Sequence, residues 1–368
     1  MRDHPAVPGV RHYPELDSWM VADPDAALAA LGYPALSSRT AENGFYLPAE
    51  ARTEYAELLD TLGRWFVLRD GDEHLSARRE VQRLFSPGRI RRLADEIGTL
   101  VVRAVEEFAE DPTGDAVTGL ANVVSARTLA RMLGLRDADP VRLHGWSRSL
   151  ASFLAASYRQ GNARRAQEAL REMRQALEYS NDDDGIWGLV AGGWREKLAT
   201  CSMLLFGGLE TTASLMSVSL WYVIGNGLTE LVADPDNAGE TEAVVERVLA
   251  LYPPLGHVAR TAVADVEVGG CPMPAGSLVL VSLTGKDAFT PPECPARPPG
   301  HVTGERRVDH LAFGHAMHYC MGAALARIQA ATLLRVFGQR FPAARVVSHR
   351  WGTNRTYRGL DQLHLALE

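Results

Sequence analysis

A cysteine near the end of the chain stands where a thiolate would be stabilised. Cys320 comes immediately before an Ala/Leu-rich stretch with helical spacing, while Gly314 permits a tight backbone path and Gly322 leaves room for a flat group to approach the backbone. The unpaired N–H groups and the macrodipole at a helix N-terminus stabilise an anionic sulfur by about 0.3–1 kcal/mol. The residue types and their spacing therefore favour an anionic sulfur ligand.

Two other interpretations of this cysteine stay open on the sequence. A lone cysteine before a helix is, without further context, more often a small buried hydrophobic residue. A zinc cluster is the second alternative, with the ligands His310, His315, His318 and Cys320. Zinc sites usually take paired ligands from two elements, and the sequence has no second Cys or His pair with suitable spacing. A zinc cluster is therefore a weaker hypothesis than a single anionic sulfur ligand.

A second chemical motif lies far upstream, in the apolar segment LLFGGLETTA of residues 204–213. Gly207 and Gly208 weaken this helical segment, and the Thr211 hydroxyl can bond back to a carbonyl, so we expect an opened hydrogen-bond ladder there. Glu210 and Thr211 place an acid beside an alcohol. Taken alone, the segment is better explained as a Gly-weakened helix with two threonines at a bend.

The cysteine segment FGHAMHYCMG resembles the signature loop of cytochromes P450. In that family Phe, Gly, a basic residue, Cys and Gly recur at the spacing of Phe313, Gly314, His318, Cys320 and Gly322. The departure is Ala316, where the family usually has a second glycine, and we expect a slightly altered turn at this residue. Order and spacing of further motifs agree with the family from about residue 60 to the end, while the first 60 residues fit only loosely.

The resemblance implies a bacterial, soluble haem-thiolate protein that holds haem b (iron protoporphyrin IX), with Cys320 as the axial ligand of the iron. Glu210 and Thr211 resemble the acid–alcohol pair that delivers protons on the face opposite the sulfur. The residues that the resemblance places at the haem are His74, Arg78, Arg260, Phe313, His318, Cys320 and Gly322. The basic members would hold the haem propionates, because carboxylates are best held by Arg or His. Substrate-lining candidates are Phe206, Gly207, Leu255, Val258 and Tyr357.

One family motif is atypical. The resemblance implies Glu-x-x-Arg before the paired prolines 253–254, and the glutamate is Glu246, but Leu249 occupies the arginine position. Arg247 lies on a different helical face and cannot simply replace it. Since losing one partner of a buried ion pair costs several kcal/mol, we expect Glu246 to be repacked toward solvent or to have a substitute partner. The candidates are Arg297, Arg306 and Arg307.

The elements that must position these residues are mostly helices. Apolar residues recur at helical spacing in residues 92–110, 119–134, 141–157, 162–178, 196–225, 241–251 and 321–340. Strand patterns are few, at residues 261–268, 278–283 and 363–367. The prediction is a mainly α fold with a small β region, a single large helical cytochrome P450-like domain over residues 1–368. The Pro- and Gly-rich segment 289–304 is predicted to be an irregular loop.

Composition limits the partners. The net charge of −7 argues against nucleic acid as the main partner. Four scattered cysteines indicate a reducing compartment, and the absence of a signal-peptide pattern or a long apolar run predicts a cytoplasmic protein without a membrane anchor. An arginine-rich strip at residues 78–92, with Arg78, Arg79, Arg83, Arg89, Arg91 and Arg92, fits either a solvated helix face or a dock for an acidic protein.

Three functional hypotheses follow from the resemblance. The first is a monooxygenase that oxidises a small, largely apolar molecule in a biosynthetic pathway of secondary metabolism, with electrons from a separate acidic ferredoxin that meets the arginine-rich strip. The second is a non-hydroxylating oxidation such as coupling or ring formation, suggested by Leu249 and by a shortened substrate-side region. The third is a non-catalytic helper of this fold, against which the retention of Cys320, Glu210 and Thr211 argues.

Overall fold

The computed structural model describes residues 9–39, 47, 49–111, 113–135, 139–157, 159–179, 183, 185–287 and 310–367. The predicted loop 289–304 lies outside these residues. The chain divides into two compact units. Unit 1 comprises Met1–Ser38, Val101–Ala121 and Thr211–Glu368, and unit 2 comprises Arg39–Leu100 and Asn122–Glu210.

Helices dominate the described residues, as the periodicity predicted. They are α1 (Pro24–Gly32), α2 (Ala49–Glu54), α3 (Ala56–Gly63), α4 (Gly71–Gln82), α5 (Pro87–Ala109), α6 (Asn122–Leu133), α7 (Pro140–Ala155), α8 (Gln160–Glu178), α9 (Ile186–Leu189), α10 (Trp194–Gly225), α11 (Thr229–Ala233), α12 (Ala238–Leu251) and α13 (Ala323–Arg340). A short π-helical turn, Val117–Ala121, leads directly into α6. The mainly α fold with small sheets is confirmed.

The strands form three small sheets in unit 1. They are β1 (Val10–Tyr13), β2 (Ser18–Val21), β3 (Leu36–Ser37), β4 (His257–Ala262), β5 (Val266–Val268), β6 (Cys271–Met273), β7 (Leu278–Ser282), β8 (Arg345–Trp351) and β9 (Leu360–Ala366). The largest sheet has the order β1-β2-β7-β4-β3, and only its β2–β7 pair is parallel. The predicted strand at residues 261–268 is two strands, since a bend separates β4 from β5.

A hydrophobic core under this sheet holds unit 1 together. Trp19, Val21, Val279 and Val281 are buried on the strands and pack with the apolar face of α1. Helix α1 begins sharply because the Asp23 side chain accepts a hydrogen bond from the backbone N–H of Ala26 and Pro24 occupies the first turn. The sheet thus gives β4, which carries Arg260, a rigid support.

Unit 2 is helical and is organised around buried aromatic rings. Trp65 is 1% exposed, donates from its indole N–H to the Ser202 hydroxyl at 3.0 Å, and stacks against Phe206 with ring centroids 5.0 Å apart. Helix α7 starts at the Asp139 cap, whose carboxylate accepts from two backbone N–H groups of the first turn. These contacts position the faces of α7 and of the first half of α10.

Helix α10 contributes its first part to unit 2 and its part from Thr211 onward to unit 1. Among the described residues it is the one helix long and apolar enough to span a membrane by length and composition. However, 61% of its most apolar window is buried inside the protein, which fits the core helix of a soluble protein.

Backbone segments approach each other closely after the paired prolines. The Gly256 N–H donates to the Thr356 carbonyl at 2.9 Å, and the Arg358 N–H donates to the Pro254 carbonyl at 2.8 Å. A Cβ on Gly256 would meet the Arg355 carbonyl oxygen well inside van der Waals contact. This glycine therefore permits the approach of the C-terminal loop.

We predict that Gly256→Ala lowers the free energy of unfolding by about 2 kcal/mol, because the new methyl group overpacks a backbone contact. Gly98→Ala is the matched control, since a Cβ at Gly98 meets no described heavy atom within 4 Å and lies inside α5. The control should gain about 1 kcal/mol from helix propensity. Denaturant unfolding measures both, and a neutral Gly256→Ala would contradict the close approach.

Candidate functional site

The cysteine loop presents its thiol at the mouth of α13. The Cys320 side chain is exposed, whereas the other described cysteines, Cys201 and Cys271, are buried. The backbone N–H of Cys320 donates to the Phe313 carbonyl at 2.8 Å, and Gly314 takes a φ of +70°, which closes the loop. The interpretation of Cys320 as a small buried hydrophobic residue is therefore wrong.

Ala316 adopts the conformation that a glycine would favour. Its φ is +53°, and among the described residues only Asp17 is another non-glycine residue with positive φ. The alanine therefore holds a strained, left-handed backbone at this turn, and the expected alteration relative to the family stays a prediction. The cost of that conformation for an L-residue is about 1–2 kcal/mol.

The histidines near Cys320 have partners of their own. His318 lies 2.8 Å from the Ser38 hydroxyl through Nε2, and His310 lies 3.2 Å from Glu246 Oε2 through Nε2. His310 Nδ1 accepts from the backbone N–H of Ala312 at 3.2 Å. Within the described part of the chain, no three His, Cys, Asp or Glu side chains form a metal-binding group.

Glu246 forms a bidentate ion pair with an arginine of the helix that follows the cysteine. Arg327 Nε donates to Oε1 at 2.5 Å and Nη2 donates to Oε2 at 3.0 Å, while His310 contacts Oε2. Leu249 is 1% exposed and belongs to the core. The expected arginines, Arg297, Arg306 and Arg307, lie outside the described residues, and the substitute partners observed are instead Arg327 and His310.

The ion pair shifts the pKa values of both Glu246 and Arg327. Burial tends to raise the pKa of Glu246, but the hydrogen bonds and positive charge of Arg327, together with His310, outweigh it and lower the pKa. The hydrogen bond to Glu246 is the largest cause that raises the pKa of Arg327. The carboxylate and the guanidinium therefore stay charged at neutral pH.

Arg327 also reaches the loop itself. Its guanidinium carbon lies 4.4 Å from the centroid of the Phe313 ring, and Tyr319 is a further hydrogen-bonding partner. Because the Phe313 carbonyl accepts from the Cys320 N–H, the contacts run from Glu246 through Arg327 and Phe313 to the cysteine backbone. This network supports the cysteine loop.

In unit 2, His74 and Arg78, one turn apart on α4, both contact Phe66. His74 is fully buried, its Nδ1 lies 2.8 Å from the Phe66 carbonyl, and the two rings meet edge-on. A carbonyl oxygen only accepts, so Nδ1 carries the hydrogen. The Arg78 guanidinium carbon lies 5.8 Å from the Phe66 centroid. Both side chains therefore lie on one face of the helix.

In unit 1, Arg260 is 7% exposed and donates to the Ala259 carbonyl at 2.8 Å. Its strand, β4, pairs residue by residue with β7. A nearly buried guanidinium on a rigid strand is suited to bind a carboxylate.

The acid–alcohol segment lies in an unbroken helix. Helix α10 continues through Gly207, Gly208, Glu210 and Thr211, so the opened hydrogen-bond ladder that we expected is not observed. Gly208 has a packing role, because a Cβ there would come within 2.9 Å of Leu129. A Cβ on Gly207 would meet no described heavy atom within 4 Å, so this side of the helix is open.

Glu210 has a partner that the sequence did not reveal. Its Oε1 lies 2.9 Å from Nδ1 of His144, a residue of α7 that is 2% exposed. His144 Nε2 lies 3.1 Å from the Asn122 carbonyl. No motif marks His144, and only the packing of α7 brings it to the acid. Arg327, by contrast, was detectable as the nearest arginine on the helix that follows Cys320.

The substrate-lining candidates divide between the two units. In unit 1, Leu255 and Tyr357 form an isolated β-bridge, and Val258 is half-buried on β4. The Ser214 hydroxyl, one turn after Thr211, donates to the Arg358 carbonyl at 2.5 Å and brings this loop to α10. In unit 2, Phe206 packs on Trp65.

These residues fit the haem that the family resemblance implies. Haem needs one axial donor, and the exposed Cys320 thiol supplies a soft one at a helix mouth. Gly322 is the N-cap residue of α13, so no Cβ crowds the backbone beside the sulfur. The buried His74 and Arg260 and the half-buried Arg78 and His318 are of the two residue types that bind propionates best.

No family model matches the chain. The chain is 29% identical over 359 residues to Vitamin D3 dihydroxylase of Streptomyces griseolus. The match covers 92% of this chain and 85% of that protein. It is 28% identical over 355 residues to cytochrome P450 monooxygenase PikC of Streptomyces venezuelae, covering 89% of this chain and 79% of that protein.

Solved structures show the same fold. P450BioI in complex with an acyl carrier protein ligated to hexadec-9Z-enoic acid has a TM-score of 0.82 at 21% identity, over 98% of this chain and 95% of that one. CYP164A2 of Mycobacterium smegmatis, free of ligand, has a TM-score of 0.78 at 26% sequence identity. The match covers 98% of this chain and 93% of that one. These relatives and structures are bacterial cytochromes P450.

We predict that Glu246→Gln lowers the free energy of unfolding by about 3 kcal/mol at neutral pH, because Arg327 loses its countercharge. Since the pKa of Glu246 is lowered in the folded state, this stability is present above the ordinary glutamate pKa and is lost as the pH falls through the folded-state value. The deficit of the variant should therefore shrink in acid.

Denaturant unfolding at several pH values measures this difference. The matched control is Glu242→Gln, an exposed carboxylate one turn earlier on α12, which should change stability by less than about 0.5 kcal/mol. An equal deficit for the two variants, or a deficit that does not change with pH, would contradict the assigned ion pair.

We predict that Ala316→Gly raises the free energy of unfolding by about 0.5–1 kcal/mol, because relief of the left-handed strain exceeds the entropy that glycine adds to the unfolded chain. Ala331→Gly, inside α13, should instead cost about 1 kcal/mol. Thermal unfolding of the two variants distinguishes the effects, and a loss of stability for Ala316→Gly would refute the left-handed backbone at this turn.

Proposed function

Because the chain is a homologue of the bacterial cytochromes P450 and has their fold, we propose that it is a haem-thiolate monooxygenase. Its substrate would be a small, largely apolar organic molecule, oxidised with dioxygen and two electrons. The observation that carries the proposal is the exposed Cys320 thiol at the mouth of α13, on a loop that the Glu246–Arg327 pair supports. The proposed cofactor is haem b.

When bound, the haem would supply the activation of dioxygen, with the Cys320 thiolate as the residue that would hold its iron. The chain's part begins at Cys320, where the N-terminal end of α13 stabilises the thiolate. Phe313 and Gly322 shape the loop around the sulfur. His74, Arg78, Arg260 and His318 would hold the propionates by charge-assisted hydrogen bonds.

Glu210 would hold a proton and pass it on through the Thr211 hydroxyl. The side chain of Glu210 is 31% exposed, so water can restore its proton. Phe206, Gly207, Leu255, Val258 and Tyr357 would line the substrate. Their mostly apolar character favours an apolar molecule and keeps bulk water from the reacting atoms.

Electrons would come from a separate ferredoxin. In unit 2 the side chains of Arg79, Arg83, Arg91 and Arg92 are exposed and available to an acidic partner. Arg89 is not, since it is 8% exposed and donates to the Met132 carbonyl at 2.7 Å. The docking strip is therefore narrower than the sequence suggested.

One of the two arguments for the alternative, a non-hydroxylating oxidation, no longer holds. It was motivated by the missing arginine at Leu249, and Arg327 supplies the cation from another helix. A biosynthetic role and a cytoplasmic location remain part of the proposal. The biosynthetic role is supported by relatives such as the Biotin biosynthesis cytochrome P450 of Bacillus subtilis.

We predict that the purified protein, produced with ample haem precursor, gives the red-shifted Soret band of a thiolate-ligated haem when reduced under carbon monoxide. Cys320→Ala should lose this band. Cys201→Ala is the matched control, because burial raises the pKa of the Cys201 thiol to about 12 and keeps it protonated, so the band should remain.

The result that would overturn the proposed function is a colourless wild-type protein. A thiolate-type band that survives in Cys320→Ala would equally reject Cys320 as the ligand.

A further inference from the structure

The geometry points to His144 as a positioning residue that keeps a proton on the line between its Nδ1 and Oε1 of Glu210. This inference rests on the proposed function, in which Glu210 is the proton donor. His144 lies on α7, and its side chain is 2% exposed, so its hydrogen bonds are made inside the protein. It is a buried titratable group for which the haem chemistry provides no other use.

Both ring nitrogens of His144 face oxygen atoms that accept. Nε2 lies 3.1 Å from the Asn122 carbonyl, and Nδ1 lies 2.9 Å from Glu210 Oε1. A neutral imidazole has one N–H, and a carbonyl oxygen can only accept, so the hydrogen belongs on Nε2. A lone pair on Nδ1 would then face a carboxylate oxygen. The contact requires one more proton, on Nδ1 or on Oε1.

A nearby hydroxyl offers one competing arrangement, and its geometry is poorer. Ser125 Oγ lies 3.4 Å from His144 Nε2 and 3.1 Å from the Asn122 carbonyl, to which it donates. If Ser125 donated to Nε2 instead, the Nε2 lone pair would face the Asn122 carbonyl at 3.1 Å. Two buried acceptors would then oppose each other without a hydrogen. With the hydrogen on Nε2, both His144 and Ser125 donate hydrogen bonds to the Asn122 carbonyl, and none of the three groups lacks a partner.

The pair therefore stores a single proton, either as imidazolium with carboxylate or as imidazole with carboxylic acid. When Thr211 releases its hydroxyl proton and takes this one in its place, the N–H or O–H bond of the pair breaks and two lone pairs are left facing each other. A proton from solvent water then restores the contact. Glu210 is the point of exchange, since its side chain is 31% exposed while that of His144 is 2% exposed. His144 thus favours rapid reprotonation of the pair after it has given up its proton.

The first test observes the proton directly. The protein is labelled with nitrogen-15 histidine, loaded with haem, reduced under carbon monoxide and compared by NMR with His144→Gln to assign the ring. We expect Nε2 to carry a hydrogen, with Nδ1 protonated or in a strong hydrogen bond. An unprotonated Nε2 beside a singly protonated Nδ1 would overturn the inference. The same spectrum can be recorded without haem, so its outcome does not depend on the proposed function.

The second test uses a surrogate plant ferredoxin and ferredoxin reductase, without substrate, and measures the fraction of NADPH electrons that leave as hydrogen peroxide. We expect His144→Gln and Glu210→Gln each to raise that fraction several-fold, and the double variant to rise no further, because the two residues act as one unit. His364→Gln is the matched control, a histidine of β9 whose Nδ1 lies 3.0 Å from the Thr113 carbonyl, and it should leave the fraction unchanged.

An unchanged peroxide fraction in His144→Gln, or additive effects in the double variant, would reject the role. The carbon monoxide spectrum of each variant shows that the fold and the haem site are intact. If wild-type protein fails that spectrum, the proposed function fails, while the NMR result still decides whether His144 and Glu210 share a proton.

Discussion

The carboxylate of Glu246, held by Arg327 at 2.5 and 3.0 Å, is the interaction on which the cysteine loop depends. Arg327 belongs to the helix that starts just after Cys320, and its guanidinium also covers the Phe313 ring. Phe313 in turn accepts the backbone hydrogen bond of Cys320. One charge pair thus supports the helix and the loop that carries the sulfur, and Leu249 is buried in the core.

The same physical constraint operates at the acid on α10. A carboxylate that is partly removed from water needs a hydrogen-bonding partner, and Glu210 takes His144 from another helix. The partners are separated by 66 residues in this pair and by 81 in the pair of Glu246 and Arg327. In both cases the partner of the carboxylate is a residue distant in sequence that tertiary packing brings to it.

The sequence predicted much of the fold and the chemical centre of the site. Helical periodicity gave the long helices, and the spacing of Phe313, Gly314, Cys320 and Gly322 located the loop. Periodicity could not foresee the partners of Glu246 and Glu210, because those contacts depend on tertiary packing. It also missed β1, β2, β3, β6 and β8, and it placed one strand where a bend makes two. The organisation of residues 1–368 as one domain stays a prediction.

The measurement that tests the central claim most directly is X-ray absorption at the iron edge of the haem-loaded protein. The account predicts one sulfur scatterer in the first coordination shell of wild-type iron, replaced by a lighter atom in Cys320→Ser. A first shell of nitrogen and oxygen alone in the wild type, or a sulfur that persists in Cys320→Ser, would contradict it.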